Sequence, residues 1–188
     1  MEPTDEQIVG KVQAGDAEAF GVLMSRYEKK ILRYGRKFLQ DTEDIKDLVQ
    51  EVFVKTYMNI RSFDTSKRFS PWIYRIAHNE FVNALKKNRF KFFPFFDFDK
   101  DILFPHPIAE ETADTEAEGR INKELLDKCL HELDAKYQEV LILSYYEELG
   151  YQEIAEVLQI PMSTVGVRLR RAKAQLKKIY EHTYGTQS

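Results

Sequence analysis

Arg168, Arg171 and Gln175 advance by three or four residues, so on a helix they share one face, with Arg170, Lys173 and Lys177 in a neighbouring row. Cations in such rows neutralise phosphates, and a guanidinium fork can also read the edge of a guanine. The residues before them suit that use. A small residue, Ala155, allows a close helix crossing, a tight turn follows over residues 159–162, Ser163 is placed to cap the next helix, and Val165 turns inward. This is the spacing of a helix-turn-helix whose second helix enters a major groove. The competing reading is a helical hairpin with a solvated basic face, but charge, spacing and cap coincide in favour of DNA.

A second set combines cations with rings. Arg68, Arg75, Lys86, Lys87, Arg89 and Lys91 lie among Phe63, Phe69, Trp72, Tyr74, His78 and Phe81. Single-stranded nucleic acid needs this mixture, because cations meet phosphate while unstacked bases need a flat partner. Phe69, Trp72 and Phe81 could equally be core. The third set is acidic: Asp41, Asp44, Asp47 and Glu51 fall on one broad helical face. A two-metal nuclease would use such carboxylates, but hard cations need ligands converging on a point, whereas successive turns of one helix fan outward. A solvated or protein-docking face is the better expectation. His78, His106, His131 and His182 show no ligand spacing, and Cys129 sits in an apolar stripe as a small core residue. With no glycine-rich phosphate loop and no serine-centred elbow, no metal, cofactor or catalytic residue is expected. An enzyme reading lacks its chemistry.

The elements that position these sets read at helical period. Asp16 can cap a helix whose apolar set is Ala19, Phe20, Leu23, Met24, Tyr27 and Ile31, and Asp41 starts a clearer one through Ile45, Leu48, Val49, Val52 and Phe53. Ser70 followed by Pro71 reads as an N-cap and first helical residue, leading to an inner face of Trp72, Ile73, Ile76, Ala77, Phe81, Ala84 and Leu85. Residues 92–98, rich in phenylalanine and proline, break the pattern, and an acidic stretch follows. Periodicity returns at Ile121. The fold class is therefore all-α: a helical bundle over residues 1–92 and a helix-turn-helix domain over 121–188, joined by a linker over 93–120. Disordered tethers are poor in rings, so residues 92–98 are expected to dock on a surface.

Charge follows the same division. The net charge of -3 hides a net of +4 in residues 1–92 (17 Lys/Arg, 13 Asp/Glu), -6 in 93–120 (2 against 8) and -1 in 121–188 (9 against 10). It is local field that meets phosphate. One cysteine excludes a disulfide framework, no apolar run has the ~20 residues of a membrane helix, and no secretory signal is expected at the acidic N-terminus. A monomer in the cytoplasm, without membrane insertion, is the expectation.

In order, Asp47-Leu48-Val49-Gln50-Glu51-Val52-Phe53-Val54-Lys55, then Phe69-Ser70-Pro71-Trp72-Ile73-Tyr74-Arg75-Ile76-Ala77-His78-Asn79, then a helix-turn-helix ending in Arg168-Leu169-Arg170-Arg171-Ala172 resemble a bacterial RNA polymerase sigma factor of the extracytoplasmic-function (ECF) group, the kind with only regions two and four. The resemblance implies that Asp44, Asp47, Gln50, Glu51 and Phe53 dock on core RNA polymerase. It implies that Arg61, Ser62, Phe63 and Asp64 form a loop taking a flipped minus-ten base, with Trp72, Arg75, Asn79, Asn83, Lys86 and Lys87 beside the melted strand. Ser163, Thr164, Val167, Arg168, Arg170 and Arg171 would bind the duplex minus-thirty-five element. It also implies control by an anti-sigma protein, and an acidic linker running through the polymerase. Asn83 and Lys86 depart from the Asp and Arg usual in the family, Gln159 replaces a common turn glycine, and Gly166-Val167 replaces a basic residue and serine. Two other functions compete: a dimeric regulator that binds duplex DNA without polymerase, and a metal-dependent nuclease using the acidic helix.

Overall fold

A computed structural model describes residues 2–39, 41–92, 129–130 and 132–184. The linker and the expected docking of residues 92–98 lie outside the described residues, apart from the last helical turn before them. Every regular element among the described residues is helical. Helix α1 (Asp5–Gln13) opens on a reciprocal cap: the Gln7 N–H donates to Thr4 Oγ1, and the Thr4 N–H to Gln7 Oε1. Its apolar stripe Ile8, Val9 and Val12 is buried against α2 (Phe20–Gly35). Asp16 accepts from the Ala19 N–H at 3.2 Å, as its type suggests, although the helix proper starts only at Phe20.

Helix α3 (Thr42–Asn59) begins where Asp41 predicts, with that carboxylate accepting from the Glu43 and Asp44 N–H groups. A single 3-10 turn, Ile60–Ser62, leads into a loop and then α4 (Phe69–Phe92). Here the structure departs from the Ser70 cap. The helix starts at Phe69, because Glu6 of α1 accepts from the Phe69 N–H at 2.9 Å. Pro71 still lies in the first turn, where its missing N–H costs nothing.

Helices α2, α3 and α4 pack around rings. Tyr34, Tyr74 and Phe81 are fully buried, with Tyr34 edge-on to Tyr74 at 5.3 Å and Phe38 stacked on Phe81 at 5.4 Å. Gly35 makes this possible: a Cβ there would lie 2.5 Å from the Phe81 ring and 2.9 Å from Ile45.

The C-terminal module comprises α5 (Ala135–Leu141), a wide π turn over Ile142–Tyr146, α6 (Tyr151–Leu158) and α7 (Met162–Tyr184). In the π turn the Glu147 N–H donates to Ile142 O, five residues back. The two modules are not separate beads. Helix α4 packs on α6, and buried apolar side chains of both form one continuous cluster.

Candidate nucleic-acid interfaces

The loop between α3 and α4 is built from beneath. Phe63 is buried, 5.0 Å from Trp72 and 5.6 Å from Phe69, centroid to centroid. Gln13 of α1 donates from one amide nitrogen to both Ile60 O and Phe63 O, each at 2.8 Å, and fixes where the loop leaves the 3-10 turn. The Ser66 N–H and hydroxyl both donate to Asp64 Oδ1, at 3.0 and 2.7 Å. These bonds hold the Asp64 carboxyl below its ordinary range, so it is an anion fixed in place. Arg61, Ser62 and Asp64 are exposed on this scaffold, while Phe63 itself serves as the floor.

Along α4, Trp72, Arg75, Asn79 and Asn83 follow a spacing of three and four and line one face. Trp72 and Asn79 are half-buried, whereas Arg75 and Asn83 are exposed. Lys86 and Lys87 continue the helix, and their side chains lie outside the described residues. Of the rings singled out with these cations, Phe63, Phe69, Tyr74 and Phe81 are core, and Trp72 and His78 retain half-open positions.

The second interface is the face of a long helix. The Gly150 N–H donates to Glu153 Oε2 and starts α6, and Gln159 ends it in the left-handed conformation, φ 54°. That is the turn position where glycine is common, and here a side chain occupies it. Helix α7 starts at Met162, so Ser163 lies inside its first turn and does not cap it from outside; the Thr164 and Val165 N–H groups donate to Pro161 O. Val165, Leu169 and Ala172 face inward, as the spacing predicts. Ser163, Arg170 and Arg171 are exposed, and Thr164, Val167 and Arg168 are half-buried on the flanks. A Cβ at Gly166 would meet the Tyr151 ring at 3.6 Å, ordinary contact, so packing does not require glycine there. A hydrogen bond with Tyr145 raises the pKa of Lys173, and its ammonium therefore stays charged beside the arginine rows.

On α3 the structure sorts the acidic set. Asp44, Asp47, Gln50 and Glu51 are exposed. Phe53, which the resemblance assigns to polymerase docking, is buried, edge-on to Phe20 at 6.4 Å. In its place the surface offers Val54, Tyr57 and Met58, the last 74% exposed. The apolar spacing of α3 already places Phe53 inward and leaves Tyr57 out of the stripe. Among the described residues, no group of three or more His, Cys, Asp or Glu could hold a metal ion, and no helix is long and apolar enough to cross a membrane.

Residues 23–91 match the model of Sigma-70 region 2, and residues 123–176 that of Sigma-70, region 4. The ECF RNA polymerase sigma-E factor of Haemophilus influenzae is 31% identical over 183 residues, spanning 93% of this chain and 94% of that relative. The chain belongs to the ECF group of RNA polymerase sigma factors. The sigma factor SigW of Bacillus subtilis is similarly related, 29% identical over 186 residues, 95% of this chain and 97% of SigW. Two solved structures share the fold. One is CnrH in complex with the cytosolic domain of CnrY (TM-score 0.65, 23% identity, 95% and 97% of the two chains). The other is the sigma factor RpoE in complex with the anti-sigma factor NepR from Bartonella quintana (0.63, 22%, 86% and 96%). In this sigma factor the region 2 match takes in α3 and nearly all of α2 and α4, and the region 4 match takes in α5, α6 and most of α7.

Proposed function

We propose that this sigma factor docks on core RNA polymerase through the α3 face of Asp44, Asp47, Gln50 and Glu51. Val54, Tyr57 and Met58 supply the apolar contact assigned above to Phe53. The loop of Arg61, Ser62 and Asp64, floored by Phe63, takes a flipped minus-ten base, and Trp72, Arg75, Asn79, Asn83, Lys86 and Lys87 follow the melted strand. Holding extruded bases offsets the few kcal/mol of unstacking each costs, so opening needs no chemistry from this chain. The chain is thus a non-enzymatic subunit, with no cofactor. Ser163, Thr164, Val167, Arg168, Arg170 and Arg171 read the duplex minus-thirty-five element, with residues 1–92, 93–120 and 121–188 as the functional divisions.

One observation carries this reading: a single chain displays a rigid polar loop on an aromatic floor, suited to unpaired bases, and a basic helix face suited to a major groove. The protein works in the cytoplasm, where core polymerase is, as a monomer when free. An anti-sigma partner controls it, a reading supported by the partner-bound state of the two structural relatives. The test is transcription from promoters with randomised elements, using core polymerase plus this chain. Start-site selection that depends on the chain is the expected result; failure to co-elute with core polymerase would remove the proposal.

A further inference from the structure

Gly166 stands inside α7, four residues after its start at Met162. Glycine is among the poorest residues for a helix interior, because its backbone gives up the most freedom on folding. A close packing contact ordinarily offsets that cost. Gly35 has one, since a Cβ there would collide with Phe81 and Ile45. Gly166 has none: among the described residues, a Cβ there would meet only the Tyr151 ring, at 3.6 Å, and otherwise open space. The fold gains nothing from the missing side chain. Its reason lies in what approaches α7 from outside.

The surroundings of the gap say what that is. Tyr151, the first residue of α6, is 50% exposed and flanks the gap with its ring. Val167, half-buried, lies on the side of α7 opposite the inward row Val165, Leu169 and Ala172. One turn further on, Arg170 and Arg171 are exposed on that same outward side. The result is a shallow recess bounded by a ring, bare helix backbone and a valine, with guanidinium groups next to it. Valine has neither donor nor acceptor. Against a purine edge it would bury polar groups without partners, which weakens binding. In a major groove one base offers an apolar surface instead, the 5-methyl group of thymine.

We propose that Gly166, Val167 and Tyr151 form a seat for a thymine methyl group, beside a guanine read by Arg170 or Arg171. This rests on the reading of α7 as the minus-thirty-five helix. Gly166 lets the helix backbone come close enough for the contact, where a β-carbon would hold the two surfaces apart. Val167 and Arg171 are about 6 Å apart along the axis, at about 1.5 Å per residue. The thymine and the guanine should then lie about two base pairs apart, at about 3.4 Å per pair.

The test uses holoenzyme made from the full chain and core polymerase, on promoters selected from a randomised minus-thirty-five element. Each thymine of the selected element is then replaced by deoxyuridine, which lacks only the methyl group. One replacement should weaken binding about threefold to fivefold, the size of one buried methyl. At that position 5-methylcytosine should be held better than cytosine. Val167→Ser should abolish the difference between thymine and deoxyuridine. Gly166→Ala should move two measurements in opposite directions: the thermal midpoint of the free chain rises, and binding of the thymine-bearing promoter falls about threefold or more. Equal binding of thymine and deoxyuridine at every position, or unchanged binding by Gly166→Ala, overturns the proposal. Holoenzyme that selects no minus-thirty-five element removes the parent reading and this one together, and that outcome is read before any base is replaced.

Discussion

The two surfaces assigned to nucleic acid are made in opposite ways. The loop of residues 61–68 owes its shape to distant residues: Gln13 ties it from α1, Glu6 starts the helix after it, and Phe63 anchors it on Trp72 and Phe69. The basic face of α7 needs only a helix and the inward row Val165, Leu169 and Ala172. An unpaired base has no fixed geometry, so its reader must be rigid; a duplex supplies its own geometry, and one straight helix suffices. The first surface should therefore be sensitive to substitutions far from it, and the second chiefly to its own side chains.

The largest effect should break the comparison at its weak side. Gly35→Ala would place a methyl 2.5 Å from the Phe81 ring. We expect a loss of roughly 3 kcal/mol, the upper range for an overpacked core. Chemical denaturation would show it, and binding of a minus-ten single strand should fall while a minus-thirty-five duplex is held better. Gln13→Ala touches neither nucleic acid nor polymerase, but it leaves two carbonyls without their donor. A loss of about 2 kcal/mol is expected, and hydrogen exchange at residues 60–64 should quicken while α7 is unchanged.

Arg171→Ala, by contrast, should leave the denaturation midpoint in place and weaken duplex binding by about 1–2 kcal/mol, measured by anisotropy at fixed salt. Gln159→Gly should stabilise the helix-turn-helix by up to about 1 kcal/mol, because a left-handed residue with a side chain is strained. Stability should also rise with pH at the module junction. The Glu139 carboxyl lies below its ordinary 4.5, so its contribution is full above that value and fades as pH falls beneath it. Burial pushes Lys37 down to about 8 from 10.5, although Glu139 opposes the shift. Between those values the unfolded chain still binds a proton that the folded one has shed, so stability rises with pH there as well. Both slopes have the same sign, and midpoints at pH 4, 7 and 9.5 would show it.

Much of this was legible in the sequence where the cause is local. Asp41 begins α3 because an aspartate caps its own next residues, and the turn at Gln159 shows in the break of the apolar spacing. Where the cause lies far along the chain, the reading slips. Helix α4 starts early because Glu6 reaches it from α1. Phe53, rightly placed in the apolar stripe, is also assigned to docking by the resemblance, and Phe20 arriving from α2 covers it. Glu139 and Glu147 gave no signal at all: an acid on a helix is ordinarily solvated, and only the opposing module shows where its cation is.

The π turn over Ile142–Tyr146 sets the register between α5 and the helix-turn-helix that follows it. A residue's worth of extra winding there rotates everything after it by about 100° around the helix axis relative to a regular turn. Shortening the segment by one residue would swing the Glu147 side chain away from Arg33 and disturb the packing of α5 on α7. Relatives that gain or lose a residue at this point would thereby seat α5 differently against the same helix-turn-helix, tuned by chain length alone.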